Sequence, residues 1–353
     1  MMAKTFSRKI ALYSFAMSVV IVIYHMALFD IYPIEFVNLF DKIFYETIYE
    51  VLENSADIAL GYFFTISAFL FYRTASQENL QSKIKGRIYS LGVPFVLWNV
   101  LAWIFFTLKE FEPYLPNGPI LSFTFAPFMG PLWYMFVLIV YVLLSPLLMR
   151  LQSLNPKAQI FIYFILLVIT MVLSIYLGQG SEAQFADLWW LERIIRYIPA
   201  YYLGIVVAWN GDKIYMERYN KRLVSVIAIA IFILSEVYIV MGAWMELNRV
   251  VTYLILRIQP ILVWFMFHCN SEEKVEYFPL KISFFVYAMH ELCIVALGII
   301  TYRLSNLMVW TGYQLVILRC LSTLLVYIVI LITAKVIKAG SPKVYGWLSG
   351  GRT

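Results

Sequence analysis

The chain has 353 residues, of which 62% are hydrophobic and only 14% are charged. A soluble enzyme of this length would need far more polar surface, so the composition indicates a polytopic membrane protein. The net charge of +6 comes from basic residues spread through short loops, which argues against nucleic-acid binding.

Ten apolar segments follow one another along the chain, each bounded by charged residues, proline or glycine. They are continuously apolar rather than alternating, so they predict transmembrane helices and not barrel strands. We expect an all-α integral membrane protein, a bundle of about ten transmembrane helices that forms a single domain over 1–353 with no attached soluble domain. The segments cover 10–29, 55–72, 88–107, 131–149, 159–177, 197–209, 223–243, 250–268, 283–301 and 314–337.

Lysines and arginines are distributed unevenly between the two sets of loops. Nineteen of the 27 fall in the N-terminus, the alternate loops and the C-terminal tail, six fall in the other loops, and Arg257 and Arg319 lie within segments. The positive-inside rule then predicts that both termini are cytoplasmic, in a multi-pass protein of a cell membrane, the bacterial cytoplasmic membrane being the expected one. The opposite side carries the longest predicted loops, 30–54, 108–130 and 178–195.

The first apolar segment contains a histidine two thirds of the way along. His25 lies about 15 residues into a helix that enters from the cytoplasm, or roughly 22 Å up, toward the external leaflet. Ionisable groups are costly inside a bilayer, and a neutral imidazole there could take a proton from a hydroxyl as a general base. The alternative is a helix-packing histidine that is hydrogen-bonded to a neighbour.

A carboxylate opens the second segment at about the same outer depth. Asp57 could orient His25 and stabilise its charge, in the manner of a His–Asp dyad. It could equally be an acidic residue near a helix N-terminus, where the macrodipole favours it.

Other charged residues within the segments suggest pairs. Glu236 and Arg257 lie at similar depths in consecutive antiparallel helices, which predicts a structural ion pair. His290 and Glu291 lie on the cytoplasmic half of the ninth segment and diverge by about 100°, so they cannot both face one ligand squarely. Arg319 could neutralise Glu291, and structural pairing and site-lining both remain open for this pair.

A basic stretch lies at the cytoplasmic ends of the second and third segments. It contains Arg73, Lys83, Lys85 and Arg87. A phosphate-bearing cytosolic ligand could bind there, and so could anionic lipid headgroups.

Five short stretches resemble, in order, the motifs of one membrane-protein family. They are the first segment with His25 near its end, YFFTISAFL at 62–70, KGRIYSLGVPFVLWN at 85–99, GPLWYM at 130–135 and SFFVYAMHE at 283–291. Together they resemble the acyltransferase-3 family of ten-helix integral membrane proteins over nearly the whole chain. Two positions depart from the family pattern: Ser14 stands where many members have an arginine, and Ala68 where the signature has a glycine.

The resemblance implies transfer of an acyl group, usually acetyl, from a cytosolic coenzyme A thioester to a hydroxyl of an envelope polysaccharide or lipid-linked glycan. Acetyl-CoA would be a co-substrate, with no permanently bound cofactor. His25 is carried over as the base or acyl relay, with Asp57 as its candidate partner. The candidate donor-binding residues are Arg73, Lys85 and Arg87, and the candidate substrate-lining residues are Ser67, Asn99, Trp133, His290 and Glu291.

Two other classes of function remain as alternatives. A glycan or lipid-linked sugar exporter, or a flippase component without acyl transfer, should show repeat symmetry and broken helices, and only the segment with Pro199 and Gly204 suggests a break. A structural or sensor membrane protein would not need intramembrane histidines. The three cysteines have neither metal-ligand nor disulfide spacing, so we predict no metal site.

Overall fold

Helices form the regular structure in a computed structural model that describes residues 2–26, 32–110, 122–124, 127–179, 189–214, 221–245, 249–266, 281–305 and 309–351. Over these residues the all-α prediction is confirmed. Two 3₁₀ turns, Gly130–Leu132 and Arg150–Ser153, and one isolated parallel bridge between Ile34 and Trp310 accompany the helices. The helices are α1 (Met2–His25), α2 (Leu39–Tyr72), α3 (Leu80–Glu110), α4 (Trp133–Leu143), α5 (Ser145–Met149), α6 (Pro156–Gln179), α7 (Trp189–Arg196), α8 (Ile198–Ile214), α9 (Lys221–Met245), α10 (Arg249–Met266), α11 (Ser283–Ser305), α12 (Gly312–Gly340) and α13 (Pro342–Leu348).

Seven helices of the described residues are long and apolar enough to cross a membrane. The bent pair Gly130–Leu143 and Ser145–Ser153, with 50° between its halves, makes an eighth if it forms one span. Helix α8 has 17 residues, and the apolar part of α10 is the short stretch Val250–Met266. The chain is therefore a multi-pass membrane protein, while the count of ten spans and the cytoplasmic termini stay predictions.

Helix α2 begins well before its apolar segment. The sequence predicted a loop over 30–54, which is wrong for most of that stretch because the helix starts at Leu39 and runs for 34 residues. At 1.5 Å per residue it is about 51 Å long, whereas a hydrocarbon core is about 30 Å thick. On this first part of the helix Lys42 and Glu46, 3.8 Å apart, form an i,i+4 ion pair, and the Phe44 ring packs on Tyr313 with 5.2 Å between ring centroids.

The contacts divide the chain into two compact units. Unit 1 comprises Met1–Ala59, Val93–Trp133 and Cys269–Thr353, and unit 2 comprises Leu60–Gly92 and Tyr134–His268. In unit 1, α1 packs against α11 and α12, and α12 packs against α13. In unit 2, α9 packs against α10, and α6 packs against α7, α8 and α10. The prediction of one domain over the whole chain remains untested.

A buried carboxylate joins two helix N-termini in unit 1. Asp41, in the first turn of α2, is fully buried and accepts hydrogen bonds from the backbone amides of Gly312 at 3.1 Å and Tyr313 at 2.8 Å. These amides belong to the first turn of α12 and have no partner within that helix. The negative charge also faces the positive end of the α12 macrodipole, so Asp41 fixes where α12 begins.

Small residues bring α2 and α8 into close contact in unit 2. A Cβ at Gly204 would lie 2.1 Å from the Thr65 carbonyl oxygen and 2.8 Å from the Cβ of Ala68. The Thr65 hydroxyl donates a hydrogen bond of 2.8 Å to the carbonyl of Ala200. Small side chains let helix backbones approach this closely. Ala68, at the position where the resembled signature has a glycine, is therefore accommodated at the crossing because its partner is a glycine.

We expect Gly204→Ala to destabilise the protein by about 2 kcal/mol, because the new methyl group must push α8 away from the Thr65 carbonyl. Gly211→Ala in the same helix is the matched control, since a Cβ there meets nothing within 4 Å. The control should be neutral or stabilised by up to about 1 kcal/mol. Thermal unfolding in detergent, followed by fluorescence-detected size exclusion, measures both, and equal midpoints would contradict the close approach.

Candidate functional site

The end of α1 is fixed by an arginine from α12. The last carbonyls of a helix have no partner within the helix. Arg319, only 5% exposed, donates from Nε to the Ile23 carbonyl and from an Nη to the Tyr24 carbonyl, both at 2.9 Å. A cation is also favoured at the negative end of the helix dipole. The two residues before His25 are therefore held in place from a helix almost 300 positions away in sequence.

A second contact with α12 lies two turns earlier on α1. The hydroxyls of Ser18 and Tyr327 share a short hydrogen bond, and the Tyr327 ring packs edge-to-face on Phe15 with 5.6 Å between ring centroids. Together with Arg319, this contact sets both the height and the rotation of α1 against α12. The orientation of His25 at the end of α1 follows from these contacts.

The structure brings two of the predicted site residues together. The rings of His25 and His290 have centroids 5.1 Å apart and planes tilted by 52°. His25 is half-buried and His290, on α11, is completely buried. Nδ1 of His290 lies 2.7 Å from the Tyr287 carbonyl oxygen and 3.2 Å from that of Val286. The two imidazoles thus form one histidine pair between α1 and α11.

This proximity corrects the predicted depths. His25 was expected toward the external leaflet and His290 on the cytoplasmic half, and rings 5.1 Å apart cannot occupy both positions. The error comes from counting each depth from the edge of its apolar segment. Helix α1 begins at Met2, earlier than its segment, so the edges of apolar segments are not equal reference heights.

Glu291 faces a different neighbour from His290. Its carboxylate accepts a hydrogen bond from the backbone amide of Gly130, and Oε1 lies 3.5 Å from the position of a Gly130 Cβ. On the same helix, the hydroxyl of Tyr287 donates to the carbonyl of Pro131. Helix α11 therefore holds the Gly130–Leu132 turn with Glu291 and faces α1 with His290, as the angle between adjacent helical residues predicted. The proposed neutralising partner of Glu291, Arg319, is instead bound to carbonyls of α1.

Asn99 organises the chain before that turn. It is 1% exposed, donates from Nδ2 to the Ser122 carbonyl at 3.3 Å and accepts from the Phe128 amide at 3.0 Å. Its amide is thus occupied by backbone, so it shapes the segment that leads to Trp133, which is half-buried at the start of α4. Asp57 is half-buried on α2, and its pairing with His25 stays a prediction.

Unit 2 contains a second polar cluster with two predicted residues. The hydroxyls of Ser67 and Tyr134 are 3.1 Å apart, and the Tyr134 ring packs edge-to-face on Phe64 at 4.6 Å. The Arg87 guanidinium lies within electrostatic range of the hydroxyls of Tyr134 and Tyr201. Ser67 of α2 and Tyr134 of α4 are therefore in contact through their hydroxyls, and Tyr134 also interacts electrostatically with Arg87 of α3.

The rest of the basic stretch has mixed roles. Arg73 is exposed and lies over the Phe69 ring at 5.7 Å, and Lys85 is exposed. Lys83 donates to the carbonyl of Phe71 at 3.0 Å and to the hydroxyl of Thr74, so it satisfies the C-terminal end of α2. Lys83 therefore has a structural role, while the roles of Arg73, Lys85 and Arg87 in donor binding stay predictions.

The predicted ion pair between Glu236 and Arg257 is replaced by other contacts. Glu236 accepts a hydrogen bond of 2.6 Å from Gln259. The Arg257 guanidinium lies over the rings of Tyr197 at 5.0 Å and Tyr253 at 4.8 Å. Aromatic faces attract a guanidinium well in a dry environment, which explains why the arginine is buried at this position.

The sequence did not predict three of these contacts. Arg319 binds the carbonyls at the end of α1, Tyr134 is hydrogen-bonded to Ser67, and Tyr287 donates to the Pro131 carbonyl. The position of Arg319 within an apolar segment indicated that the side chain has a buried partner, but it did not identify that partner. Tyr134 and Tyr287 lie in the motif-like stretches GPLWYM at 130–135 and SFFVYAMHE at 283–291, but those stretches do not indicate which side chains or carbonyls the two tyrosines contact. Among the described residues, no group of three or more His, Cys, Asp or Glu could hold a metal ion.

We expect Arg319→Leu to lower the free energy of unfolding by about 3 kcal/mol, because two carbonyls lose a charged donor. Arg319→Lys should recover part of the loss. An ammonium keeps the positive charge, but it cannot bind both carbonyls as well as the planar guanidinium does. Lys335→Leu, at an exposed position of the same helix, is the control and should be near neutral. Thermal midpoints in detergent check this ranking, and an unchanged midpoint for Arg319→Leu would contradict it.

Comparison with known families supports one family for nearly the whole chain. The model of an acyltransferase domain, of the acyltransferase-3 family, matches residues 14–335. No curated protein and no solved structure matches the chain. The matched range begins before His25 and extends beyond Arg319, so it contains both the histidine pair and the cluster around Arg87. The chain belongs to the acyltransferase-3 family.

Proposed function

We propose that the protein transfers an acetyl or other acyl group from cytosolic acyl-CoA to a hydroxyl of an envelope polysaccharide or lipid-linked glycan, in a bacterial cytoplasmic membrane. Membership of the acyltransferase family supports acyl transfer. The observation that carries the role of His25 is its placement: a half-buried imidazole on a helix end fixed by Arg319, beside the buried His290.

In the proposed reaction His25 is the general base. It takes the proton from the acceptor hydroxyl as the oxygen attacks the thioester carbonyl carbon. A new carbon–oxygen bond forms, the carbon–sulfur bond breaks, and the proton passes from His25 to the departing thiolate. The reaction yields one ester and one thiol and needs no further reactant. An imidazole fixed in this way contributes by orientation, since positioning accounts for a large share of the rate of group transfer.

The acyl donor is proposed to bind through the basic side chains of unit 2. Guanidinium groups form strong, directional hydrogen bonds with phosphates, and ammonium groups attract them as point charges. Arg73 and Lys85, both exposed, are proposed to bind the phosphates of the donor. Arg87 is proposed to bind a less exposed oxygen of the donor together with the hydroxyls of Tyr134 and Ser67.

The acceptor is proposed to be bound by residues of unit 1. Trp133, half-buried at the start of α4, offers an apolar ring of the kind that packs on sugar faces. Asn99 and Glu291 contribute by fixing the backbone on either side of the segment that leads to Trp133, since their polar atoms bind that backbone. Asp57 completes the set of residues that we assign to acceptor binding, and His290 belongs to the same site through its contact with His25.

We expect His25→Gln to lower acetylation at least about 100-fold, the usual contribution of a general base. The control is His268→Gln, which changes another of the chain's three histidines. Acetyl esters of surface glycans are measured in cells with matched protein levels. Purified protein with labelled acetyl-CoA then separates transfer from export. Unchanged acetylation in cells with His25→Gln would remove this residue from the mechanism. If surface acetylation in cells requires the protein but the purified protein does not use labelled acetyl-CoA, an exporter is favoured.

We expect Arg87→Gln to raise KM for acetyl-CoA about tenfold or more, which corresponds to about 1.4 kcal/mol of binding, with a smaller change in kcat. The matched control is Lys157→Gln, an exposed basic residue at the start of α6. Release of the coenzyme A thiol, detected with a thiol reagent, gives both constants. Equal KM values for the two variants would place the donor elsewhere.

A further inference from the structure

We propose that His290 is the positioning residue for His25: its unprotonated Nε2 accepts the ring N–H of His25, so that the other ring nitrogen of His25 is the one that takes the acceptor proton. This inference rests on the proposed function for its catalytic meaning. The pairing itself rests on the geometry of α1 and α11.

The contacts of His290 define its tautomer. Nδ1 lies 2.7 Å from the carbonyl oxygen of Tyr287 and 3.2 Å from that of Val286. A carbonyl oxygen only accepts hydrogen bonds, so Nδ1 must carry the hydrogen. A neutral imidazole has a single N–H, and therefore Nε2 carries a lone pair and acts as an acceptor.

The neutral form also follows from the surroundings of Nε2. His290 is 0% exposed, and Nε2 has no hydrogen-bond partner among the described residues. A proton on Nε2 would place an unpaired donor and a positive charge in a buried position, which is more costly than an unpaired acceptor. The buried lone pair is thus a site that requires a donor, because unsatisfied buried polar atoms are rare in folded proteins.

His25 is the ring beside this lone pair. The distance between the two ring centroids, 5.1 Å, is close to what a hydrogen bond of about 2.9 Å plus the two ring radii spans. The planes are tilted by 52°, which is compatible with a ring nitrogen of one imidazole directed at a ring nitrogen of the other. The proposed hydrogen bond requires the His25 ring to turn so that its N–H points at Nε2 of His290.

The neighbouring polar groups are directed to other partners. Arg319 donates to the carbonyls of Ile23 and Tyr24. The Tyr287 hydroxyl donates to the Pro131 carbonyl, and the Glu291 carboxylate accepts from the Gly130 amide. These contacts fix α1 and α11 on either side of the two rings.

The arrangement gives His25 the orienting partner that a catalytic base needs. In serine hydrolases a carboxylate accepts the N–H of the histidine and fixes its tautomer. Here a neutral imidazole would do so, and it would bring no negative charge into an apolar region, where a charge is costly. His290 touches no reacting atom in this scheme and acts through His25.

The test of the pairing uses the small number of histidines, three in the chain. Protein labelled with ¹⁵N-histidine in detergent should give three sets of ring signals, assigned with His25→Leu, His290→Leu and His268→Gln. We expect His290 to show a protonated Nδ1 and an unprotonated, hydrogen-bonded Nε2. The Nε2 signal should shift toward the value of a free lone pair in His25→Leu and stay unchanged in His268→Gln. An Nε2-protonated His290, or an Nε2 signal unaffected by His25→Leu, would overturn the proposal.

The test of the catalytic consequence compares two replacements of similar size. His290→Gln keeps an acceptor, the amide oxygen, whereas His290→Leu has none. With acetyl-CoA as the probe and thiol release as the readout, we expect kcat to fall at least about 100-fold in His290→Leu and about tenfold or less in His290→Gln, with KM unchanged in both. Equal losses in the two variants would contradict a positioning role.

The two tests distinguish this inference from the proposed function. If the ¹⁵N signals show the pair but His25→Leu retains full thiol release, the pairing stands and the role of His25 as the base fails. If His25→Leu abolishes thiol release but the His290 signals are the same in this variant as in the unmodified protein, the role of His25 stands and the pairing fails.

Discussion

Buried helix ends impose the constraint on which unit 1 depends. The carbonyls at the end of α1 lack partners within the helix, and apolar surroundings supply none. Arg319 provides two donors there, and Asp41 provides the acceptor for the amides at the start of α12. In both cases the partner comes from a helix far away in sequence. The ends of these helices and their packing against one another are therefore determined together.

The same requirement explains the division of roles on α11. Adjacent residues of a helix diverge by about 100°, so His290 and Glu291 reach different neighbours. Glu291 satisfies the amide of Gly130 and fixes the turn before α4, while His290 brings a buried imidazole to α1. Two consecutive residues thus contact two different elements, the turn before α4 and the end of α1. A small rotation of α11 would disturb both, which couples the Gly130–Leu132 turn to the position of the histidine pair.

The sequence was sufficient for the helical class and for the family. It was not sufficient for the pairing of side chains in three dimensions. Depth counted along apolar segments placed His25 and His290 apart, since the heights at which helices begin are not encoded in segment edges. The same counting matched Glu236 with Arg257, but an amide and two aromatic rings bind these groups instead. Apolar segments in the sequence show which polar residues are buried, but the packing of the helices determines which groups those residues contact.

The contacts of Arg319 show that the end of α1 has a bound guanidinium although position 14 is a serine. Many family members are expected to have an arginine there, eleven residues before the histidine, which on a helix is about 20° from the direction of His25. In this chain Ser14 leaves that face of α1 without the arginine, yet the end of the helix still has a buried guanidinium within hydrogen-bonding distance. This guanidinium binds the carbonyls of Ile23 and Tyr24. A cation supplied by α12 therefore fixes the position of the histidine from outside the helix.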